Sequence, residues 1–253
     1  MRVVIATAQV PFVRGGAEIL ADGLRHALLA AGHEVDVAAV PFRWQPQERI
    51  LDHMLACRLL DLSESCGVGI DRVIGLKFPA YLVPHPNKVL WLLHQHRAAY
   101  DLWGHAQGDL HTGPYGAQVR EAIQQAECRL LPEAKAVYTI AGNVSARLRR
   151  YCGVDSEPLY HPPAHAEKFY CAEAEDYFFF PSRLHPLKRH ALVLEALAQT
   201  RRPVRVCFAG VGAHSGLLAP SARIAHGHSR GARLCNEPSR IRSPTPARLR
   251  RTR

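Results

Sequence analysis

The chain opens with a largely apolar run from Val3 to Val10, a short Pro11-Phe12-Val13-Arg14-Gly15-Gly16 segment, and a stretch from Ala17 to Ala31 with apolar residues at Ile19, Leu20, Leu24, Ala27, Leu28 and Ala31. This order predicts a buried strand, a glycine turn and an amphipathic helix. Gly32 follows the last apolar position, where a residue without a Cβ suits a left-handed helix end. His33 to Val40 then alternates and turns apolar like a second strand, which completes one βαβ unit.

The pattern recurs. Helices are predicted over 48–62, 116–131 and 143–151, and strands over 72–76, 88–93 and 135–140. Strands that alternate with helices imply a parallel sheet covered on its faces. Between Gly153 and Asp176, with Pro158, Pro162 and Pro163, the periodicity weakens; it restarts with a strand over 177–181, a helix over 187–199 and a strand over 203–210. A domain boundary near 162–172 follows, so that 1–165 forms a first domain and 166–212 the beginning of a second.

Beyond Gly212 the period is lost. Residues 214–253 hold nine Arg, no Lys, one acid (Glu237), and no Val, Phe, Tyr or Trp, a composition that cannot bury a core and predicts a disordered tail over 213–253. The chain uses 27 Arg against 5 Lys, as GC-rich coding does, and the tail reads like a frameshift product of such DNA. It also changes the meaning of the net charge. Of the formal +10, the tail supplies +8 and the preceding residues +2, so the body lacks the clustered cations that neutralise several phosphates of a nucleic acid.

At 253 residues and 47% hydrophobic, the composition is that of a globular protein. No stretch approaches the roughly 20 apolar residues needed to cross a bilayer, and the start lacks a secretory h-region, so a cytoplasmic protein is expected. The seven cysteines are odd in number, scattered and never spaced CxxC, which argues against structural zinc and against a disulfide framework.

Three segments carry candidate chemistry. Gly15 and Gly16 lie between strand and helix, where backbone amides approach an anion; GxGxxG and the P-loop pattern are both absent, and a tight turn explains the pair equally well. Val89 to Leu93 runs into His94-Gln95-His96-Arg97, which places two imidazoles and a guanidinium at the carboxyl end of a strand, the edge where open parallel sheets hold ligands. Tyr177 to Pro181 leads into Ser182-Arg183-Leu184-His185-Pro186-Leu187-Lys188, which brings Arg183 and Lys188 to a helix start. Two cations there suit a diphosphate: Arg offers a fork of donors, Lys a point charge, and neither requires a metal.

With these segments in view, the sequence resembles the family-4 retaining glycosyltransferases of the two-domain GT-B fold. The resemblance rests on RVVIATAQVPFVRGGAE, AGHEVDVAA, DRVIGLKFPAYLVPHPNKVLWLLHQHRAAYDLW with TIAGNVSARLRRYCGVD, and FFFPSRLHPLKRHALVLEAL with RPVRVCFAG, which span residues 1 to about 212. It implies an α/β GT-B architecture with an acceptor-side Rossmann-like first domain and a nucleotide-sugar second domain. By the same resemblance Arg183 and Lys188 hold the donor diphosphate, Gly15 and Gly16 face the cleft, and His94 contacts the transferred sugar as the catalytic position. The expected partners are a nucleotide sugar and a carbohydrate or lipid-linked acceptor, with no metal cofactor and no specific nucleic acid.

The family's acidic E-x7-E element has no counterpart after Gly212, so the second domain is expected to be only begun and turnover to be impaired. Asp101 and Glu18 stand in suitable places for a carboxylate, but neither is assigned a catalytic role. Phe12-Val13-Arg14 and Phe42-Arg43-Trp44 offer places for shallow contact at the inner face of a membrane, although scattered exposed aromatics are common. Two other classes fit the same residues: a non-catalytic protein that binds an acceptor or partner through the first domain, and an anionic-polymer binder acting through the Arg-rich tail.

Overall fold

The structure, a computed structural model, describes residues 1–163 and 165–210 and the backbone of 232–235. Contacts within the chain divide it into two units, Met1–Phe169 and Tyr170–Arg253.

In the first unit β1 (Arg2–Gln9), α1 (Gly16–Ala30) and β2 (Glu34–Pro41) form the expected βαβ start, with Gly32 at φ +81° behind the helix. There follow α2 (Arg49–Leu59), a small antiparallel hairpin of β3 (Glu64–Ser65) and β4 (Val68–Gly69), β5 (Arg72–Gly75), β6 (Lys88–Leu92), α3 (Gly116–Leu130), β7 (Ala136–Thr139), α4 (Gly142–Cys152) and β8 (Glu157–Pro158). All six strands of the main sheet are parallel, in the order β2-β1-β5-β6-β7-β8. The hairpin and β8 are too short to carry a period, and the sequence pattern does not predict them.

Both faces of this sheet are covered, and the two-residue period of its strands shows how. Val3 and Ile5 of β1, with Trp91 of β6 and Leu93 just after it, pack into a cluster that α1 covers through Leu20, Ala21, Leu24 and Leu28. Ala6, Ala8, Leu90 and Leu92 point the other way, into a cluster with Ile50 and Met54 of α2, Val119 and Ile123 of α3 and Leu148 of α4. A strand buried on both faces reads as a continuous apolar run, which is how β1 and β6 look in the sequence.

The second unit holds a three-stranded parallel sheet, β11-β10-β9, from β9 (Phe178–Pro181), β10 (Val206–Ala209) and β11 (Ala232–Cys235), with α5 (His190–Ala198) between β9 and β10. The helix begins three residues later than the period predicts, because Pro186–Lys188 form a single 3-10 turn and Arg189 takes a left-handed φ of +58°. Of the tail expected to be disordered, Ala232–Cys235 lie in a strand, since the main chain of an open edge pairs with any extended segment. The rest of that expectation falls outside the described residues. The fold is thus α/β, a Rossmann-like parallel sheet in the first unit and a smaller parallel sheet in the second, of GT-B type.

Candidate functional site

In an open parallel sheet the ligand crevice forms where consecutive connections leave in opposite directions. Here the chain passes from β1 to β2 on one side and returns to β5 on the other, so the reversal lies between the carboxyl ends of β1 and β5. Gly15 and Gly16 follow β1, Lys77 follows β5, and an ion pair joins the two loops: Lys77 Nζ lies 3.3 Å from Glu18 Oε1. Glu18 Oε2 also accepts from the Gly15 N–H at 2.7 Å. The backbone amide that the sequence offers to an anion therefore already meets a carboxylate of its own helix. Partial burial pushes the Glu18 carboxyl up, but the Gly15 amide, its own amide and Lys77 outweigh burial and hold it below the ordinary carboxylate range.

The next strand, β6, delivers His94. Its Nδ1 lies 2.7 Å from the Gln95 carbonyl oxygen, which can only accept, so Nδ1 carries the proton and Nε2 keeps its lone pair. Burial lowers the His94 pKa; the Gln95 carbonyl opposes this, and the nearby cations Arg97, Arg147 and Lys77 add to the lowering. At neutral pH the ring is a neutral acceptor, suited to a hydroxyl donor. Arg97 and Arg147, from the loop after β6 and from α4, both reach Asp101 Oδ2, at 2.6 and 2.9 Å. Burial raises the Asp101 pKa, but these two guanidiniums bring it below the usual value, so Asp101 stays a clasped carboxylate.

Beneath the His94 loop lies a group the sequence reading missed. Glu127 of α3 is fully buried and accepts from Tyr100 Oη at 2.5 Å, from Tyr81 Oη, from Gln95 Nε2 at 3.0 Å and from the His96 N–H at 3.5 Å. Burial still lifts its pKa above the ordinary value against those four donors. The signal was present: Val119, Ile123 and Glu127 fall at four-residue steps on the face of α3 that packs on the sheet, so an acid occupies a core position.

On the second unit, Arg183 and Lys188 sit in the loop between β9 and α5, both exposed, and neither forms an ion pair among the described residues. Ser182 Oγ lies 2.9 Å from Nε2 of the buried His190, which ties the start of this loop to the helix. Gly210, after β10, has φ +155°, and a Cβ there would stand 2.0 Å from the Ser182 carbonyl oxygen, so only glycine lets the two strand ends approach. Gly15, Gly16 and His94 thus belong to the first unit, and Arg183 and Lys188 to the second. Among the described residues no group of three or more His, Cys, Asp or Glu side chains could hold a metal ion, and no helix is long and apolar enough to cross a membrane.

A parallel sheet with polar groups gathered at its carboxyl edge, followed by a second parallel-sheet unit, is an α/β arrangement consistent with the GT-B fold. Among solved structures, the lipopolysaccharide outer core galactosyltransferase WaaB in its apo form is similar in fold, with a TM-score of 0.53 at 13% identity; the match covers 92% of this chain and 67% of that one. No protein-family model and no curated protein matches the chain.

Proposed function

We propose that the protein is a glycosyltransferase, moving a hexose from a nucleotide sugar to a hydroxyl of a carbohydrate or lipid-linked acceptor with retention of anomeric configuration. The observation that carries this reading is the pair Arg183 and Lys188, two exposed cations in one strand-to-helix loop with no carboxylate partner among the described residues. Cations beside a helix start are unfavourable against its dipole unless an anion compensates them, and a diphosphate does so. The GT-B-type fold agrees with it.

In this mechanism the anomeric C–O bond breaks with its electron pair leaving on the diphosphate, whose growing charge Arg183 and Lys188 stabilise. The acceptor oxygen bonds to the anomeric carbon, and its proton passes to the departing phosphate oxygen. His94, neutral and with Nε2 free to accept, holds a hydroxyl of the sugar. Glu18 and Asp101 are both engaged with cations, and neither is assigned a role as covalent nucleophile. The reading takes no metal and places the reaction in the cytoplasm, at the inner face of a membrane where the acceptor is lipid-linked.

Calorimetric titration with UDP, GDP and their sugar conjugates tests the proposal. A nucleotide should bind the wild-type chain and lose at least tenfold in affinity in Arg183→Ala and in Lys188→Ala. Equal binding by the variants, or none by the wild type, would overturn it.

A further inference from the structure

At the carboxyl ends of β1 and β2 the first unit leaves an open groove of about 460 Å³. The surface it exposes is almost wholly apolar, from Val10 and Pro11 after β1, Pro41 and Phe42 at the end of β2, and the half-exposed Trp44, with Gln45 and His53 also in the lining. One cation, Arg43, belongs to it. Arg43 donates through Nε to the Gln45 carbonyl and forms no ion pair among the described residues, so its charge is left for a ligand.

The turn beside the groove is built against backbone preference. The Val13 N–H donates to the Val10 carbonyl at 3.1 Å, with Pro11 second in the turn and Phe12 third at φ +65°. A positive φ at the third position, after proline, is a place for glycine. This chain puts a phenylalanine there and leaves the ring fully exposed, with Val13 exposed next to it. Strain kept at one position in order to present an apolar ring to solvent points to a use for that ring. Phe12, Val13 and Trp44 prolong the apolar surface past the groove. Toward the interior, Phe42 packs edge-on against Phe78 at 5.9 Å, and Phe78 lies 4.9 Å from the ring of His96 in the His94 loop.

We propose that this groove binds the hydrocarbon chain of an anionic amphiphile whose phosphate or carboxylate head meets Arg43. An apolar lining that runs on over exposed rings fits a chain longer than one ring, and an uncompensated guanidinium selects a negative head. That this amphiphile is the glycosyl acceptor rests on the transferase reading above; the binding itself does not.

Calorimetry on the full chain, with decyl phosphate below its critical micelle concentration, tests the proposal. Hexyl phosphate, decanol, inorganic phosphate and anionic phospholipid vesicles serve as comparison probes. Decyl phosphate should bind, with affinity falling up to about fourfold for each methylene removed toward hexyl phosphate. His53→Trp, which fills the groove from α2, should weaken it at least tenfold, and circular dichroism should show that variant folded. Arg43→Gln should weaken decyl phosphate about five- to tenfold and leave decanol unchanged. Phe12→Gly should also weaken it while relieving the turn.

Equal affinity in wild type and His53→Trp would overturn the proposal, as would equal effects of Arg43→Gln on decyl phosphate and decanol. Inorganic phosphate binding as tightly as decyl phosphate would leave the groove no role. Binding to vesicles with none to the monomeric amphiphile would reassign the surface to bilayer contact. The nucleotide titration reads the transferase proposal separately: amphiphile bound without nucleotide sinks that reading and leaves the groove, and the converse sinks the groove.

Discussion

The sheet edge of the first unit and the β9–α5 strand and loop of the second treat charge and apolar surface in opposite ways. At the sheet edge of the first unit Lys77, Arg97 and Arg147 each meet a carboxylate, and even the buried Lys88 has Glu133 at 3.4 Å. In the second unit's loop Arg183 and Lys188 meet none among the described residues. Apolar residues divide likewise. The first sheet has helices on both faces, whereas Phe178 and Phe179 of β9 are 68% and 51% exposed; among the described residues of the second unit the buried apolar ones are Leu184, Val206 and Phe208. Paired charges fix the polar edge of the first unit's sheet, whereas under the transferase proposal the two exposed cations of the β9–α5 loop are left for an anion.

The sharpest way to break that comparison is to remove a group on which the first unit depends. Glu127→Ala would leave Tyr81, Tyr100 and Gln95 with donors aimed into a dry space, each orphaned donor costing about 1–3 kcal/mol, so a loss of about 4 kcal/mol is expected in urea unfolding followed by fluorescence. Glu127→Gln keeps the shape and one acceptor oxygen, but sets an amide NH₂ against donors, and should cost about half as much. A loss under about 1 kcal/mol for the alanine variant would show that water enters the site and that the first unit is not as self-satisfied as its geometry implies.

The same contrast explains what could be read from the sequence. The βαβ start, the parallel sheet and the polar edge after β6 were legible because a strand buried on both faces and an amphipathic helix leave unmistakable periods, and Leu93-His94 marks where the apolar run ends. Glu127 was passed over because an acid in a helix is ordinarily solvated; only its register with Val119 and Ile123 betrays it. The Glu18–Lys77 pair joins residues 59 positions apart, and no local pattern encodes which loops a strand order brings together. The Val10, Pro11, Phe42 and Trp44 groove was missed for the same reason: of the Phe42-Arg43-Trp44 segment expected to offer exposed aromatics, Trp44 is half-exposed but Phe42 is buried, and Val10 and Pro11 carried no signal. In the second unit the start of α5 was read too early: Leu187 and Lys188 continue the helical spacing, and nothing in composition announces that Arg189 turns left-handed.

Acidification probes the first unit more gently. Burial holds the His96 imidazole down to about 4, against the nearby Asp109 carboxylate, which raises it, and with His94 adding to the lowering. A histidine depressed in the folded state contributes stability that is present above its unfolded pKa of about 6.5 and is lost as pH falls toward 4. Between pH 7 and pH 5 that loss is about 2 kcal/mol. Glu127, raised by burial, works with the opposite sign, so the quantity to measure is the difference between wild type and His96→Gln, in which the Glu127 contribution cancels. Urea midpoints at the two pH values should converge in the variant by that amount; parallel shifts in both proteins would mean that His96 is protonated in the fold without penalty.

The smallest effect sharpens the other side of the comparison. Arg189 holds a left-handed backbone at the start of α5, which costs a residue with a Cβ about 1 kcal/mol and costs glycine nothing. Arg189→Gly should therefore slow amide hydrogen exchange along α5 by up to about fivefold if the helix opens by local unfolding. Glycine also enlarges the conformational freedom of the unfolded chain, which trims the gain to somewhat under the strain relieved. Arg183 and Lys188 are untouched by the change, so nucleotide affinity should hold or rise slightly as the loop that carries them becomes better ordered. If exchange along α5 quickened instead, the guanidinium of Arg189 would be making a stabilising contact worth more than the strain, and the second unit would be less open than its exposed strand implies.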